Sequence, residues 1–381
     1  MKIGFAKLYV SDSCLFTRRR MEFYSACCTT ADENLSNDTF PDCSNTVRTN
    51  HHSKKAPPMP QSHSTKDAMP TEDLRVIGKT EIRVAPVGLG CWPIAGMTSL
   101  GVNDGDSIRT LQSAIDTGIN LLDTAYGYGA DGQSDLLIRR AIRGRREKVV
   151  IASKSGMHWK PNGDRCFDAS PSRVIKECEE SLLRLGVDQI DLFYLHAVDP
   201  NVPVQDSATA FAQLLQQGKI RSVGVSNVTV EQLNSFSSVC EVAAVQPPYN
   251  MLQREIELDL VAWCMERQIS IINYWPLMKG LLAGKIRRGH AFDPADKRQT
   301  YDVFQGEQFE RAQRLLDCLD DVATEVEKTV AQVVVNWTIQ QPGITATLCG
   351  AKRDWQITET AGAMGWRLGD AQMKKIARLL A

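Results

Sequence analysis

Four side chains in this chain are of types that together can move a proton: Asp123, Tyr128, Lys154 and His196. Three of them follow short apolar runs. Residues 120–122 lead into Asp123, 149–153 into Lys154, and 190–195 into His196. Tyr128 lies in the glycine-punctuated loop after Asp123, with Tyr126 two residues before it. A charge at the end of a buried strand is costly unless it is paired. In a barrel of alternating strands and helices, the carboxyl ends of the strands are where chemistry is built. An acid, an amine, a phenol and an imidazole on one pocket suit protonation of a carbonyl oxygen while hydride arrives at its carbon. A free phenol, with a pKa of ~10, is a poor acid near neutrality. The Lys154 ammonium would favour the phenolate and lower that value. Asp123 would hold the ammonium and compensate its burial. His196 would donate to the carbonyl oxygen and orient it.

Each residue also has a plainer reading. A lone Asp at a strand end is usually a cap, a lone Lys a surface residue, and a lone His a satisfied core residue. Both tyrosines could be packing residues, and spacing does not choose between Tyr126 and Tyr128. The argument rests on their coincidence on adjacent strand ends.

Those ends require a rhythm of elements, and the chain has one. Strands are expected at 87–90, 120–122, 149–153, 190–195, 222–225, 243–246, 270–274 and 346–349. Helices are expected at 106–117, 134–142, 172–185, 205–217, 230–239, 257–267, 309–327, 330–341, 355–363 and 370–380. Several of these helices stop at glycine, as C-cap chemistry favours. Strand-helix alternation means parallel strands with helical crossovers. Eight such units over residues 71–381 fit an α/β fold, a closed (β/α)₈ TIM barrel with a C-terminal helical extension. Two short apolar runs flank Gly78-Lys79-Thr80-Glu81, an N-terminal β-hairpin signal that could plug one barrel end. An open doubly wound sheet is the competing architecture. The first strand-to-helix turn, Gly88-Leu89-Gly90-Cys91-Trp92-Pro93, lacks the GxGxxG fingerprint that such a sheet would carry.

Residues 1–70 differ in composition, being rich in Ser, Thr, Asn, His and Pro. They read as a disordered extension or an upstream start, since Met59 and Met69 both precede the domain. The charge balance of 44 basic and 45 acidic residues points to neither nucleic acid nor an anionic membrane as partner. No apolar run is long enough to span a bilayer, and the start is a poor signal-peptide core. The 11 cysteines are scattered and form no CxxC pair, as expected of reduced thiols in a cytoplasmic protein without a zinc framework. Composition implies nothing about oligomeric state.

From about Leu74 onward the chain resembles the aldo-keto reductase family. The resemblance is carried by Asp123-Thr124-Ala125, Tyr128-Gly129, the Ser-Lys-Ser-Gly run at 153–156 and Tyr194-Leu195-His196. It continues through Gly224-Val225-Ser226-Asn227, Val245-Gln246-Pro247-Pro248-Tyr249-Asn250 and Tyr274-Trp275-Pro276-Leu277. It implies that Tyr128, rather than Tyr126, is the catalytic acid. It also implies NADPH, bound extended across the barrel mouth. Ser226, Asn227 and Gln246 would bond the nicotinamide carboxamide, and Tyr274 would stack on its ring. The run Leu277-Met278-Lys279-Gly280-Leu281-Leu282 would cover the pyrophosphate, with Pro276 before it among the cofactor-binding residues. Gly350, Lys352, Arg353, Gln356, Glu359 and Thr360 resemble the adenosine-phosphate segment, with Lys352 or Arg353 on the 2′-phosphate. Departures are Thr360 for the common Asn, Trp275 for Ser, and Asp135 for Glu.

The substrate implied is a small carbonyl compound, contacted by Trp92, Tyr128 and His196. The loop 157–169 is a possible further wall, and 286–308 a mobile lid or a disordered spur. Two other classes compete. One is a cofactor-binding regulatory or redox-sensing subunit with little turnover, as potassium-channel β subunits are within this family. The other is a Schiff-base aldolase with Lys154 as nucleophile, which Asp123 opposes by keeping Lys154 charged.

Overall fold

Each short aliphatic run becomes one strand, and each amphipathic stretch covers it from outside. In the computed structural model, which describes residues 73–380 apart from 98 and 161, eight strands close on themselves. They are β1 (Val87–Gly90), β2 (Leu121–Asp123), β3 (Val150–Ser155), β4 (Leu192–Leu195), β5 (Val223–Ser226), β6 (Ala244–Gln246), β7 (Ser270–Tyr274) and β8 (Ile344–Gly350). Every neighbouring pair is parallel, and β8 closes onto β1 from Thr347 beside Val87 to Gly350 beside Gly90. Closure leaves no open sheet edge, so the doubly wound alternative is excluded.

The outer helices are α1 (Asp104–Asp116), α2 (Gln133–Ala141), α3 (Pro171–Leu185), α4 (Val204–Gln216), α5 (Val230–Ser237) and α6 (Leu260–Arg267). Then come α7 (Gly306–Glu325), α8 (Val330–Ile339), α9 (Asp354–Ala361) and α10 (Asp370–Leu380). Both α7 and α8 lie between β7 and β8, and α10 packs back on α7 as the C-terminal extension. Capping boxes at Thr229 with Gln232 and at Thr329 with Gln332 start α5 and α8, each satisfying two backbone donors.

Strand side chains alternate in direction, and here the two faces are two cores. Leu122, Ile151, Phe193, Val225, Val245 and Ile271 face the helices. Leu121, Val150, Ala152, Leu192, Tyr194, Ala244, Ile272, Ala346 and Leu348 fill the barrel. The hairpin of Arg75–Val76 with Arg83–Val84 closes one end, adding Ile77, Ile82 and Val84 to that inner cluster. Its turn is pinned by Gly78 N–H donating to Ser270 Oγ at 2.8 Å. A Cβ on Gly78 would lie 2.6 Å from the Ala243 carbonyl oxygen, so only glycine fits there.

Three expectations change. Residues 149–153 were expected to end before Lys154, but β3 runs through Ser155, and Asp123 likewise lies inside β2. Neither charge breaks its ladder because each neutralises the other. Residue 190 is an isolated bridge to Ile220 rather than part of β4. The segment 286–308 is no spur: Ile286, Val303 and Phe304 form a small core with Leu281 and Ala312, packed by Phe292, Tyr301 and Phe309. The extension expected over 1–70 lies outside the described residues. Among the described residues no helix is long and apolar enough to cross a membrane. Cys91, Cys178, Cys240, Cys264 and Cys349 are buried free thiols.

Candidate active site

One rule of alternation places most of the site. The last inward-facing position of each strand is Gly90 on β1, Asp123 on β2, Lys154 on β3, Ser226 on β5, Gln246 on β6, Tyr274 on β7 and Gly350 on β8. His196 takes the same position one residue beyond β4, with its N–H donating to the Ser155 carbonyl at 2.9 Å. The polar groups therefore form one layer, on top of an apolar barrel interior.

Within that layer Lys154 Nζ lies 2.5 Å from Asp123 Oδ1, 2.8 Å from the Thr124 carbonyl and 3.3 Å from Tyr128 Oη. Its side chain is 1% exposed and that of Asp123 3%, so the ion pair is fully desolvated. Gln246 Nε2 donates to the other carboxylate oxygen at 2.8 Å. Burial pushes the Lys154 pKa down, but Asp123 and Tyr128 outweigh it and the net direction is up. An ammonium held this way is a poor imine-forming nucleophile, which disfavours the aldolase reading. Burial raises the Tyr128 pKa, and the Lys154 ammonium opposes it without reversing it. The lysine does pull the phenol toward its anion, as expected, but desolvation is larger. His196 is held well below its usual range by burial, then by Lys154 and Arg165, so it is neutral. Its Nδ1 is buried and has no hydrogen-bond partner among the described residues. A buried lone pair is cheaper than a buried unbonded N–H, which favours the tautomer with the proton on Nε2.

The loop after β2 is built to hold Tyr128. Tyr126 N–H donates to the Lys154 carbonyl, and its hydroxyl donates to Glu180 on α3 at 2.6 Å. Arg173 and Arg184 lie over the Tyr126 ring, so this tyrosine faces away from the lysine. A Cβ on Gly127 would come 2.7 Å from the Met157 carbonyl, and Gly129 has φ +89°. These demands explain the glycines on either side of Tyr128. Asp135, on α2, accepts from Thr124 Oγ1 at 2.8 Å. Burial pushes its pKa up to about 7.

The nicotinamide-side residues also meet. Asn227 has φ +56°, and its Nδ2 donates to the His196 carbonyl at 2.9 Å and to Ser226 Oγ at 3.0 Å. Ser226 Oγ donates to the Gln246 carbonyl, and Tyr274 Oη donates to Asn227 Oδ1, both at 2.8 Å. That last bond fixes the tilt of the Tyr274 ring.

Beyond β7 the backbone turns left-handed at Trp275, Met278, Lys279 and Gly280, with Pro276 and Leu277 between. Non-glycine residues pay strain for this conformation, which recurs where backbone must face a ligand. Lys279 Nζ sits 3.8 Å from the Trp275 ring centroid and 4.3 Å from that of Tyr301. Burial, with Arg165 second, brings its pKa down to about 8. Arg298 Nη1 reaches the Lys279 carbonyl at 3.4 Å and pairs with Asp296. Nearby, Lys352 Nζ donates to the Leu100 carbonyl at 3.1 Å and Arg353 pairs with Asp106 at 3.2 Å. Gln356 Oε1 accepts from the Lys352 N–H, and Glu359 pairs with Lys285. Thr360 is buried with its hydroxyl on carbonyls of its own helix, which leaves little of it for a ligand.

Trp92 meets the Tyr128 ring edge-on at 5.1 Å between centroids, and His196 meets it at 5.8 Å. The expected wall at 157–169 is an antiparallel hairpin, Met157–Trp159 with Arg165–Phe167. Trp159 Nε1 donates to the Gly127 carbonyl at 2.6 Å. Sequence reasoning did not assign the Gln246–Asp123, Thr124–Lys154 and Tyr274–Asn227 bonds. Their partners lie far apart in the chain, and no local spacing signals them.

A family model described as the aldo/keto reductase family matches residues 86–381. The chain is 36% identical over 307 residues to the aldo-keto reductase YhdN of Bacillus subtilis, covering 80% of this chain and 92% of that one. It is 30% identical over 325 residues to the NADH-specific methylglyoxal reductase of Escherichia coli, covering 80% and 98%. Among solved structures, the glycerol dehydrogenase AKR11B4 of Gluconobacter oxydans superposes with a TM-score of 0.76 at 34% identity, covering 81% of this chain and 95% of that one.

Proposed function

The chain belongs to the aldo/keto reductase family, and we propose that it reduces the carbonyl of an aldehyde or ketone with NADPH, Tyr128 acting as general acid. The observation that carries this reading is the desolvated Asp123–Lys154–Tyr128 chain at the barrel mouth, beside a neutral His196. A bound reduced nicotinamide would supply the hydride. His196 Nε2–H would donate to the substrate oxygen and hold it near Tyr128 Oη. As the carbonyl carbon gains the hydride, Tyr128 Oη gives its proton to the oxygen, and the product is the alcohol. Lys154 Nζ then faces a phenolate, which its charge stabilises in a dry site. Asp123, held by Gln246, keeps that charge in place.

The residues present fit a dinucleotide. Gln246 Nε2 is committed to Asp123, which leaves Oε1 for a carboxamide. Ser226 and Asn227 lie beside it, and the fixed Tyr274 ring offers a flat face. Lys279, Lys352 and Arg298 crowd one rim, and burial, Arg353 and Arg298 together lower the Lys352 pKa. Such a rim favours an anion. Pro276, Leu277, Lys279 and Gly280 would cover the pyrophosphate. Gly350, Lys352, Gln356 and Glu359 would meet the adenosine end, with Thr360 behind them.

Titration with NADPH and NADH, followed by tryptophan fluorescence, tests the cofactor site. NADPH is expected to bind about tenfold or more tighter, since a charge-assisted bond to the 2′-phosphate is worth roughly 1.5–3 kcal/mol. Lys352→Gln is expected to erase the difference, and binding of neither nucleotide would overturn the reading. A bound anion favours the Lys279 ammonium, so affinity is full below its free pKa of about 8 and falls as pH rises through it. The decline is expected to approach tenfold per pH unit and to vanish in Lys279→Met.

We also propose residues 71–381 as the catalytic domain. Deleting residues 1–68 is expected to leave Tm and turnover near the full-length values. A large loss of either would assign that segment to the fold.

A further inference from the structure

Arg165 stands on the hairpin strand Arg165–Phe167, in register with Trp159. Its guanidinium carbon lies 5.4 Å from the Trp159 ring centroid and 5.9 Å from that of Trp92. Trp92 in turn packs edge-on against Tyr128. Trp159 is tied through its Nε1 to Gly127, in the loop that carries Tyr128. The platform under the guanidinium is therefore fixed relative to the reacting phenol. Its charge acts on both sides of the mouth, since Arg165 contributes to lowering the pKa of both His196 and Lys279.

Arg165 also differs from the other arginines near the site. Arg173 pairs with Glu177, Arg298 with Asp296 and Arg353 with Asp106. Among the described residues no carboxylate pairs with Arg165, whose contacts are the two indole faces. Lys154, the charge deeper in the pocket, is already compensated by Asp123. Arg165 is exposed at the mouth, and a guanidinium over aromatic faces still has its N–H groups to offer for bidentate recognition of a planar anion.

We infer that the substrate carries a carboxylate, and that Arg165 binds it while the carbonyl end lies between Tyr128 and His196. This rests on the reductase reading and narrows it to oxo acids and carboxylated aldehydes. Arg165 is then a specificity residue, outside the proton-transfer group. The same guanidinium could instead serve the cofactor, being within electrostatic reach of Lys279. Its contact with Trp92, on the side of the catalytic phenol, favours the substrate.

The test compares acids with their neutral methyl esters: 4-carboxybenzaldehyde against methyl 4-formylbenzoate, and 4-oxobutanoate against its methyl ester. The full chain is used with NADPH, as wild type, Arg165→Gln and Arg165→Lys. In at least one pair, kcat/KM is expected to favour the acid by roughly 10- to 100-fold, the scale of a charge-assisted bond. Arg165→Gln should remove that preference through KM, leaving ester turnover and the NADPH Kd within about threefold, and Arg165→Lys should retain part of it. Turnover of esters and acids at equal efficiency in both pairs would overturn the inference and leave the reductase standing. So would an Arg165→Gln protein that loses NADPH affinity but keeps its acid preference. If no carbonyl compound is reduced at all, the reductase reading fails and this inference falls with it.

Discussion

Tyr128→Phe is expected to lower kcat for carbonyl reduction by roughly 10²- to 10⁴-fold, the usual contribution of a positioned general acid. Phenylalanine keeps the ring that Trp92 meets at 5.1 Å and His196 at 5.8 Å, so the pocket should keep its shape. Only the hydroxyl that Lys154 reaches at 3.3 Å is lost. NADPH affinity should accordingly stay close to wild type, and a fluorescence titration alongside turnover separates the two effects. Wild-type-like turnover in this variant would sink the acid assignment. The pH dependence follows from the direction of the Tyr128 shift. Burial, opposed by Lys154, leaves its pKa above that of an ordinary phenol. The protonated phenol is the working form in reduction, so its contribution is present throughout the neutral range and lost only on the alkaline side. Alcohol oxidation needs the phenolate and should rise with pH instead. Tyr126→Phe should leave turnover nearly unchanged, because that hydroxyl bonds Glu180 on α3.

Lys154→Met is expected to damage both turnover and stability. Removing the ammonium strands the Asp123 carboxylate, whose side chain is only 3% exposed. Breaking one side of a buried pair typically costs about 3–5 kcal/mol. For a domain of this size that corresponds to a Tm lower by roughly 5 °C or more. Turnover should fall by roughly 10²-fold or more, since nothing then stabilises the phenolate. Adding Asp123→Asn separates the effects. Both buried charges are then gone, so most of the stability should return while turnover stays low. If the double variant is no more stable than Lys154→Met, the pair does not account for the loss. If Lys154→Met alone keeps normal turnover, the lysine is structural only.

The second prediction concerns residues that the chain itself marks out, whereas the choice of Tyr128 over Tyr126 came from the family resemblance. Asp123 and Lys154 are charges at the ends of aliphatic runs, and such positions in a strand-helix alternation can only point into a barrel or out to its helices. Local patterning therefore made the eight strands legible, along with the hairpin, whereas Ser226, Gln246 and Tyr274 were marked by the family resemblance and not by patterning. Strand ends were less legible. β3 continues through Lys154 because a partner on β2 neutralises the charge, and that partner arrives through the fold. The segment 286–308 carries few periodic signals, yet Val303 and Phe304 anchor it on Leu281 and Ala312.

The sequence by itself determined the architecture, because side-chain alternation and strand-helix order are properties of neighbours along the chain, and its family resemblance supplied the cofactor side of the site's inventory. Tertiary structure decided how that inventory is wired. It turned Tyr126 toward α3 and Tyr128 toward Lys154, and brought Gln246 onto Asp123 and Tyr274 onto Asn227. It left Arg165 over two indoles, with no carboxylate paired to it among the described residues. It also set the direction of the Tyr128 shift, where desolvation outweighs the lysine expected to lower it. Barrel closure brings together residues remote in sequence, and burial is a sum over every neighbour so gathered, which no local spacing encodes.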